Sequence, residues 1–395
     1  MVRFGLLSRP RRGHSQCVVA VLAPGQGSQS SGLLLPWLEL PAAAETLSRW
    51  SDLVGLDLLA VGTTWSDDDI RHTEIAQPLL TAVALLSARA LLGETAPDVV
   101  CGHSIGELPA LAIAGVLTDD EAVSLAAVRG RAMAAATRLT PTGMAAVLGG
   151  DADAVLAAAA RHGLELATVN VAGQVVVGGP VAALDSFAAQ APEGTRVRRL
   201  DVAGAFHTSA MASARPAFEA ALAALVPRHP QATVVANRDG DVVRDGRQAL
   251  DRLLDQLTSP VRFDLCLTSL ANLGVDAVVE LAPGGTLTAL AKRALPDAAR
   301  VALRTPADLD AARALLPHAG EHAAVRWRAL PSPTNGIVDP LVTTGSAVDA
   351  GTPVAVISGR AGASTVLAPD SGTLSEWLVS PGDPVREHQL LAVLS

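Results

Sequence analysis

A chain of 395 residues, 49% hydrophobic and 17% charged, has material for two or three compact units and is too apolar for wholesale disorder. A formal charge of −9 excludes general nucleic-acid affinity, which needs a basic face. Three cysteines, Cys17, Cys101 and Cys266, show no CxxC or metal-like spacing and fit a reducing, cytoplasmic compartment.

Residues 1–16 carry Arg9, Arg11 and Arg12 but lack the long apolar core of a secretory signal, and are expected to be a disordered extension. CVVAVLAP (17–24) reads as a first strand running into the turn GQGSQ. AQPLLTAVALLSARALL (76–92) reads as a long, central apolar helix. No apolar run approaches the roughly 20 residues of a membrane span, so no membrane partner is expected. In VVCGHSIGELPALAIAG (99–115), Val99 and Val100 continue a buried strand, while Leu108, Leu111, Ala112 and Ala114 recur at helical spacing. Gly-x-Ser-x-Gly at such a junction is the nucleophile-elbow pattern, with Ser104 at the helix N-terminus. The alternation of strand and helix predicts an α/β unit with a parallel sheet.

Segment 142–203 changes rhythm. GMAAVLGG, DADAVLAAAARHG, LELATVN, QVVVGG, PVAALDSFAAQ and TRVRRLDV read β-α-β-β-α-β, the ferredoxin-like unit. This predicts a small inserted subdomain, with the cleft beside it as the default site. The larger unit resumes with a helix through 211–225 and strands near ATVVAN (232–237) and DAVVEL (276–281). LPHAGEHAA (316–324) reads as a linker. From about 326, SPTNGIVDPLVTTGSAVDAGTPVAVI is echoed by APDSGTLSEWLVSPGDPVREHQLLAVL, which predicts a small all-β sandwich of two similar halves.

A serine hydroxyl needs a base to take its proton. Among nine histidines, His14, His322 and His388 lie in segments read as exposed, and His103, on the strand side of Ser104, points away from it. His207, in the Gly/Ala-rich turn of DVAGAFHTSAM, is the candidate base; a structural core histidine is the alternative. On residues alone, a serine hydrolase using Asp153, Asp185 or Asp201 as third acid stays open, as does a scaffold serving a larger complex through the C-terminal residues.

GQGSQ, GHSIGE, VRGRAM, GAFHTSAM and QLTSPVRF, in that order across roughly 17–310, resemble the malonyl-CoA:acyl-carrier-protein transacylase family. The resemblance implies an α/β-hydrolase-like large subdomain carrying the inserted small one, together spanning 17–320. It implies Ser104 as nucleophile and His207 as base, with the imidazole oriented by a main-chain carbonyl and no Asp. Gln256, in QLTSP, matches the position that supports the histidine. The backbone N–H groups of Ile105 and Gln26 match the oxyanion donors, and the glycines flanking Gln26 permit close approach. Arg129 matches the residue that holds the malonyl carboxylate, for which a planar guanidinium fork is suited; Arg131 would face elsewhere. Phe206 and Ile105 follow the malonyl-type pattern, in which a bulky residue crowds an α-methyl branch, although Gly204 stands where some relatives carry a histidine. Asn170 matches a substrate-cleft asparagine. The implied partners are malonyl-CoA and acyl carrier protein, bound by a monomer without metal or redox cofactor.

SPTNGIVDPLV, AGTPVAVI, LAPDSGTL and VSPGDPV resemble the biotinyl/lipoyl carrier domain, here 326–395. Arg360 and Ala361 stand where a Met-Lys pair would lie, and the only lysine in the chain is Lys292. The resemblance therefore implies a carrier fold without its modifiable amine. Docking, to other acyl-CoA enzymes among others, or oligomerisation is the role expected of it, with a passive remnant as the alternative.

Overall fold

The computed structural model describes residues 17–93, 95–316, 328–360, 362–369, 371–387 and 389–394. The extension 1–16, most of the linker, His14, His322, His388 and Ala361 lie outside the described residues.

The large unit is built on a parallel sheet in the order Ala299–Ala302, Ala277–Glu280, Val19–Ala23, Val99–Gly102, Thr233–Val235. Val19–Ala23 is apolar and buried at every position, as a central strand covered on both faces must be. The edge strand Ala299–Ala302 was not anticipated; ARVA is four residues long and only half-buried, so it lacks the continuous apolar run that marks the inner strands. The central helix spans Thr73–Leu92. It is long and apolar enough to cross a membrane, but 78% of its most apolar window is buried inside the protein. Its hydropathy is therefore that of a core helix.

Helix Asp119–Thr137 packs against it. Its start is fixed by a capping box, in which Thr118 Oγ1 accepts the Glu121 N–H and the Glu121 carboxylate accepts the Thr118 N–H.

The small sheet runs Thr195–Arg199, Thr142–Gly149, Gln174–Pro180, Glu165–Val171, each strand antiparallel to its neighbour. Helices Ala152–Arg161 and Val181–Ala189 complete the expected β-α-β-β-α-β order around a core of Val147, Leu164, Val177, Leu184 and Phe187. A two-residue strand, Val261–Arg262, adds in parallel to Glu165–Val171. It follows QLTSP, so the segment carrying Gln256 is tied to the small sheet. Two residues give no periodicity to read, and the sequence offered no sign of it.

The C-terminal residues form two four-stranded sheets. One is Arg328–Pro331, Leu390–Leu394, Gly372–Trp377, Ala347–Val348; the other is Gly362–Leu367, Pro353–Gly359, Gly336–Pro340, Pro384–Val385. The short strand of each repeat half, 347–348 or 384–385, pairs into the sheet of the other half. Matched turns at Gly345 and Gly382 both adopt φ near +87° (88° and 86°), a left-handed conformation that favours glycine.

Candidate active site

The strand Val99–Gly102 ends in a sharp turn, a short 3-10 segment Ser104–Gly106, and the helix Glu107–Ile113. Glycine is required at both flanks. A Cβ on Gly102 would lie 2.0 Å from the Gly106 carbonyl carbon, and one on Gly106 would lie 2.1 Å from the Ala23 oxygen. Ser104 itself has φ +53° and His207 has φ +62°, left-handed conformations that cost a non-glycine residue roughly 1–3 kcal/mol. Backbone strain of this kind concentrates where a fold holds a side chain for chemistry.

The two residues meet. Ser104 Oγ lies 2.7 Å from His207 Nε2, and His207 Nδ1 donates to the Gln256 main-chain oxygen at 2.8 Å. With its proton held on Nδ1, the ring presents a bare Nε2 to the serine hydroxyl. A carbonyl, not a carboxylate, fixes this tautomer. Burial and the neighbouring Arg129 charge push the imidazole down to about 3, so it is neutral around pH 7 and able to accept the proton.

Arg129 is 1% exposed. Its Nη1 donates to Gln77 Oε1 at 2.9 Å and its Nη2 to Gln256 Oε1 at 2.7 Å, while Nη2 also lies 3.3 Å from Ser104 Oγ. Burial lowers its pKa to about 10, which leaves the guanidinium charged at neutral pH. A cation is thus held beside the hydroxyl, within reach of an acid group on any acyl chain that Ser104 carries. Arg131, two residues on, donates to the Val54 oxygen on another side of the helix.

Gln26 sits in the GQGSQ turn, where its amide donates to the Arg71 oxygen and Thr73 Oγ1 at 3.3 and 3.4 Å. A Cβ on Gly25 would come 2.7 Å from the His103 oxygen, so this loop lies directly against the elbow, as the close approach of the sequence reading requires. Ile105 and Phe206 are buried beside Ser104 and His207 in the chain. A Cβ on Gly204 would lie 2.5 Å from Thr137 Cγ2, so Gly204 is closely packed. Asn170, on the small sheet, pairs its Oδ1 with His103 Nε2 at 3.0 Å, and His103 packs edge-on against Phe263 with ring centroids 5.3 Å apart. His103 therefore joins the two subdomains, its ring engaged by Asn170 and Phe263.

Four polar residues of the site escaped the sequence reading. Gln77 holds Arg129, and its amide within the apolar middle of the helix is the available signal. Glu107 follows the elbow directly and is buried; burial raises its carboxyl to about 7 against the pull of the Asn237 N–H and the Arg252 and Arg129 charges. Arg252 pairs with Asp239 at 3.0 Å. Asn237 closes the run ATVVAN and bonds to the elbow, a role that no local pattern announces.

A sequence profile of the acyl transferase domain matches residues 21–313. The Mycobacterium tuberculosis malonyl CoA-acyl carrier protein transacylase is 48% identical over 297 residues, covering 74% of this chain and 98% of its own length. The chain belongs to the malonyl-CoA:acyl-carrier-protein transacylase family. The Escherichia coli transacylase is 34% identical over 303 residues, with 98% of its length covered. The crystal structure of the M. tuberculosis transacylase superposes with a TM-score of 0.73 over 75% of this chain and 99% of that one. A type II polyketide acyl-carrier protein in complex with its malonyl-transacylase contains a 28% identical chain that superposes with a TM-score of 0.70 over 75% of this one. Residues 326–395 lie beyond the transacylase match.

Proposed function

We propose that this protein moves the malonyl group of malonyl-CoA onto the pantetheine thiol of an acyl carrier protein, in fatty-acid or polyketide synthesis. The observation that carries the reading is the meeting of three groups at one oxygen: Ser104 Oγ, His207 Nε2 and Arg129 Nη2. Ser104 Oγ attacks the thioester carbonyl carbon while its proton passes to His207 Nε2. The backbone N–H groups of Ile105 and Gln26 receive the developing oxyanion. The C–S bond breaks, and the departing CoA sulfur takes the proton from His207. In the second half the carrier's pantetheine thiol gives its proton to His207 and attacks the malonyl ester. Malonyl thioester leaves and the serine regains its proton.

Arg129 pairs with the malonyl carboxylate. That pairing offsets the positive charge that depresses His207, so a correct substrate makes the imidazole a better base than an acetyl donor does. Gln256 supports both His207 and Arg129. Phe206 and Ile105 crowd an α-branched acyl group, and Asn170 lines the cleft. The chemistry draws on no metal or redox cofactor, and the enzyme acts as a cytoplasmic monomer.

Residues 17–320 form the acyltransferase domain, with 142–203 its ferredoxin-like subdomain; the sheet order and antiparallel pairing support that reading. Residues 326–395 form a biotinyl/lipoyl-like domain that docks to other acyl-CoA-using enzymes. Its two exchanged halves support the fold, and the absence of lysine from 326–395 rules out amide attachment of biotin or lipoate there.

The test is incubation of the protein with malonyl-CoA and a phosphopantetheine-bearing carrier protein, read by intact mass of the carrier. Malonyl-carrier is expected. Free malonate with unmodified carrier would make the protein a hydrolase.

A further inference from the structure

The elbow holds a strained serine, and something must hold the elbow. Asn237 is fully buried at the end of the strand Thr233–Val235 and its following turn. Its Oδ1 accepts the Ser104 N–H at 2.8 Å, and its Nδ2 donates to the Gly102 oxygen at 2.6 Å. One side-chain amide therefore spans residue 103 and grips the backbone on both sides. This is the strand-pairing pattern of a main chain, supplied by a side chain where the regular ladder has ended. Asn237 is itself clamped: its own N–H donates to Glu107 Oε1 at 2.6 Å, and its Oδ1 accepts a longer bond, 3.3 Å, from Gln256 Nε2. That same Gln256 Nε2 donates to the Glu107 carboxylate and, at 3.1 Å, to the Ser104 oxygen. Gln256 also supplies the carbonyl that orients His207.

We propose that Asn237, locked by Glu107, is a positioning residue that sets the distance and angle between Ser104 and His207 by tying the elbow to the Gln256 segment. It touches neither substrate nor reacting atoms. The assignment rests on the transferase reading, with Ser104 and His207 as the reacting pair. An interlock of this kind acts first on the Ser104–His207 pair, through the two short bonds to the elbow, and reaches Arg129 through the longer 3.3 Å bond to Gln256. Loss of the amide should therefore lower kcat and spare KM.

Two variants test it. Asn237→Ala should reduce kcat for malonyl transfer about 10- to 100-fold, the range for a misplacement near one ångström, with KM for malonyl-CoA within about twofold of wild type. Asn237→Asp gives a readout that general stability would not move. A protonated carboxyl can donate to the Gly102 oxygen and accept from Ser104, as the amide does; an ionised one cannot donate. The new carboxyl would lie beside Glu107 and Cys266, among the Arg252, Arg129 and Asp239 charges that act on Glu107, with His207 across Ser104. Its ratio of kcat to wild type should fall as pH rises and the carboxyl ionises. A raised KM at unchanged kcat in the alanine variant, or a pH-independent ratio in the aspartate variant, overturns the proposal. Wild type is assayed alongside: its failure to transfer malonyl would strike the transferase reading itself and not the role of Asn237.

Discussion

Arg129 is the residue at which the account of selectivity is most exposed. Its guanidinium is buried, charged, and held by Gln77 and Gln256 within reach of the serine oxygen. A charge-assisted hydrogen bond contributes roughly 1.5–3 kcal/mol, so Arg129→Ala should cut the preference for malonyl-CoA over acetyl-CoA by about one to two orders of magnitude. Competition between the two donors for the same serine measures this; equal losses for both would remove the carboxylate from its role.

His207 carries a pH prediction of definite sign. Its imidazole is held down to about 3, against an ordinary value of 6.5. His207 should therefore add no titration near 6.5 to the acylation rate of the free enzyme, and a decline centred there that persists in Glu107→Gln would contradict the burial argument. The unfolded chain titrates His207 normally, so the unfolded state binds the extra proton as pH falls from 6.5 toward 3 and native stability is lost across that window. Chemical denaturation should show His207→Ala gaining stability relative to wild type over the same window.

Which of these residues a reader of sequence could find follows from their physics. Ser104 and His207 sit at breaks between periodic segments, where Gly-rich turns betray them. Arg129 lies on a helix among alanines and resembles any surface arginine until a family pattern singles it out. Asn237 and Glu107 act through contacts more than a hundred residues away in the chain, at 2.6 Å or so, and no local spacing encodes such a contact.

At the scale of elements, the elbow depends on two glycines for reasons of volume. Gly106→Ala would drive a methyl to 2.1 Å from the Ala23 oxygen, so either the helix Glu107–Ile113 or the strand Val19–Ala23 must give way. Both are core elements, and overpacking of this sort costs typically 1–3 kcal/mol or more. Thermal unfolding should show a clearly lower Tm for Gly106→Ala. Gly106 has φ −61°, a conformation open to alanine, so the loss would be one of volume alone.

The inner strands and the central helix were legible because each is a continuous or periodic apolar run. Edge strand Ala299–Ala302 and the two-residue Val261–Arg262 were not, because an edge needs little burial and a bridge needs none of the pattern. Helix Gly246–Gln256 was also passed over. Its many charged residues conceal the buried stripe Ala249, Leu250, Leu253 and Gln256.

Across the whole molecule, the C-terminal residues carry a core of their own, including Val338, Val354, Ile357, Leu374 and Leu391. A chain ending near Gly320 should therefore stay soluble and keep its rate with malonyl-CoA and isolated carrier protein. Its deficit should appear in association with other acyl-CoA-using enzymes. Loss of transfer on truncation would instead make the β domain part of the site or of its stability. Intact mass of the full-length protein should show neither biotin nor lipoate.

The central claim is that one serine carries the malonyl group between two thiols. Brief exposure to malonyl-CoA, acid quench and peptide mapping by mass spectrometry tests it most directly. A malonyl ester is predicted on Ser104 alone, absent from Ser104→Ala and discharged when carrier protein is added. A malonyl group mapped to any other residue, or an ester of the same stability persisting in Ser104→Ala, would contradict the account.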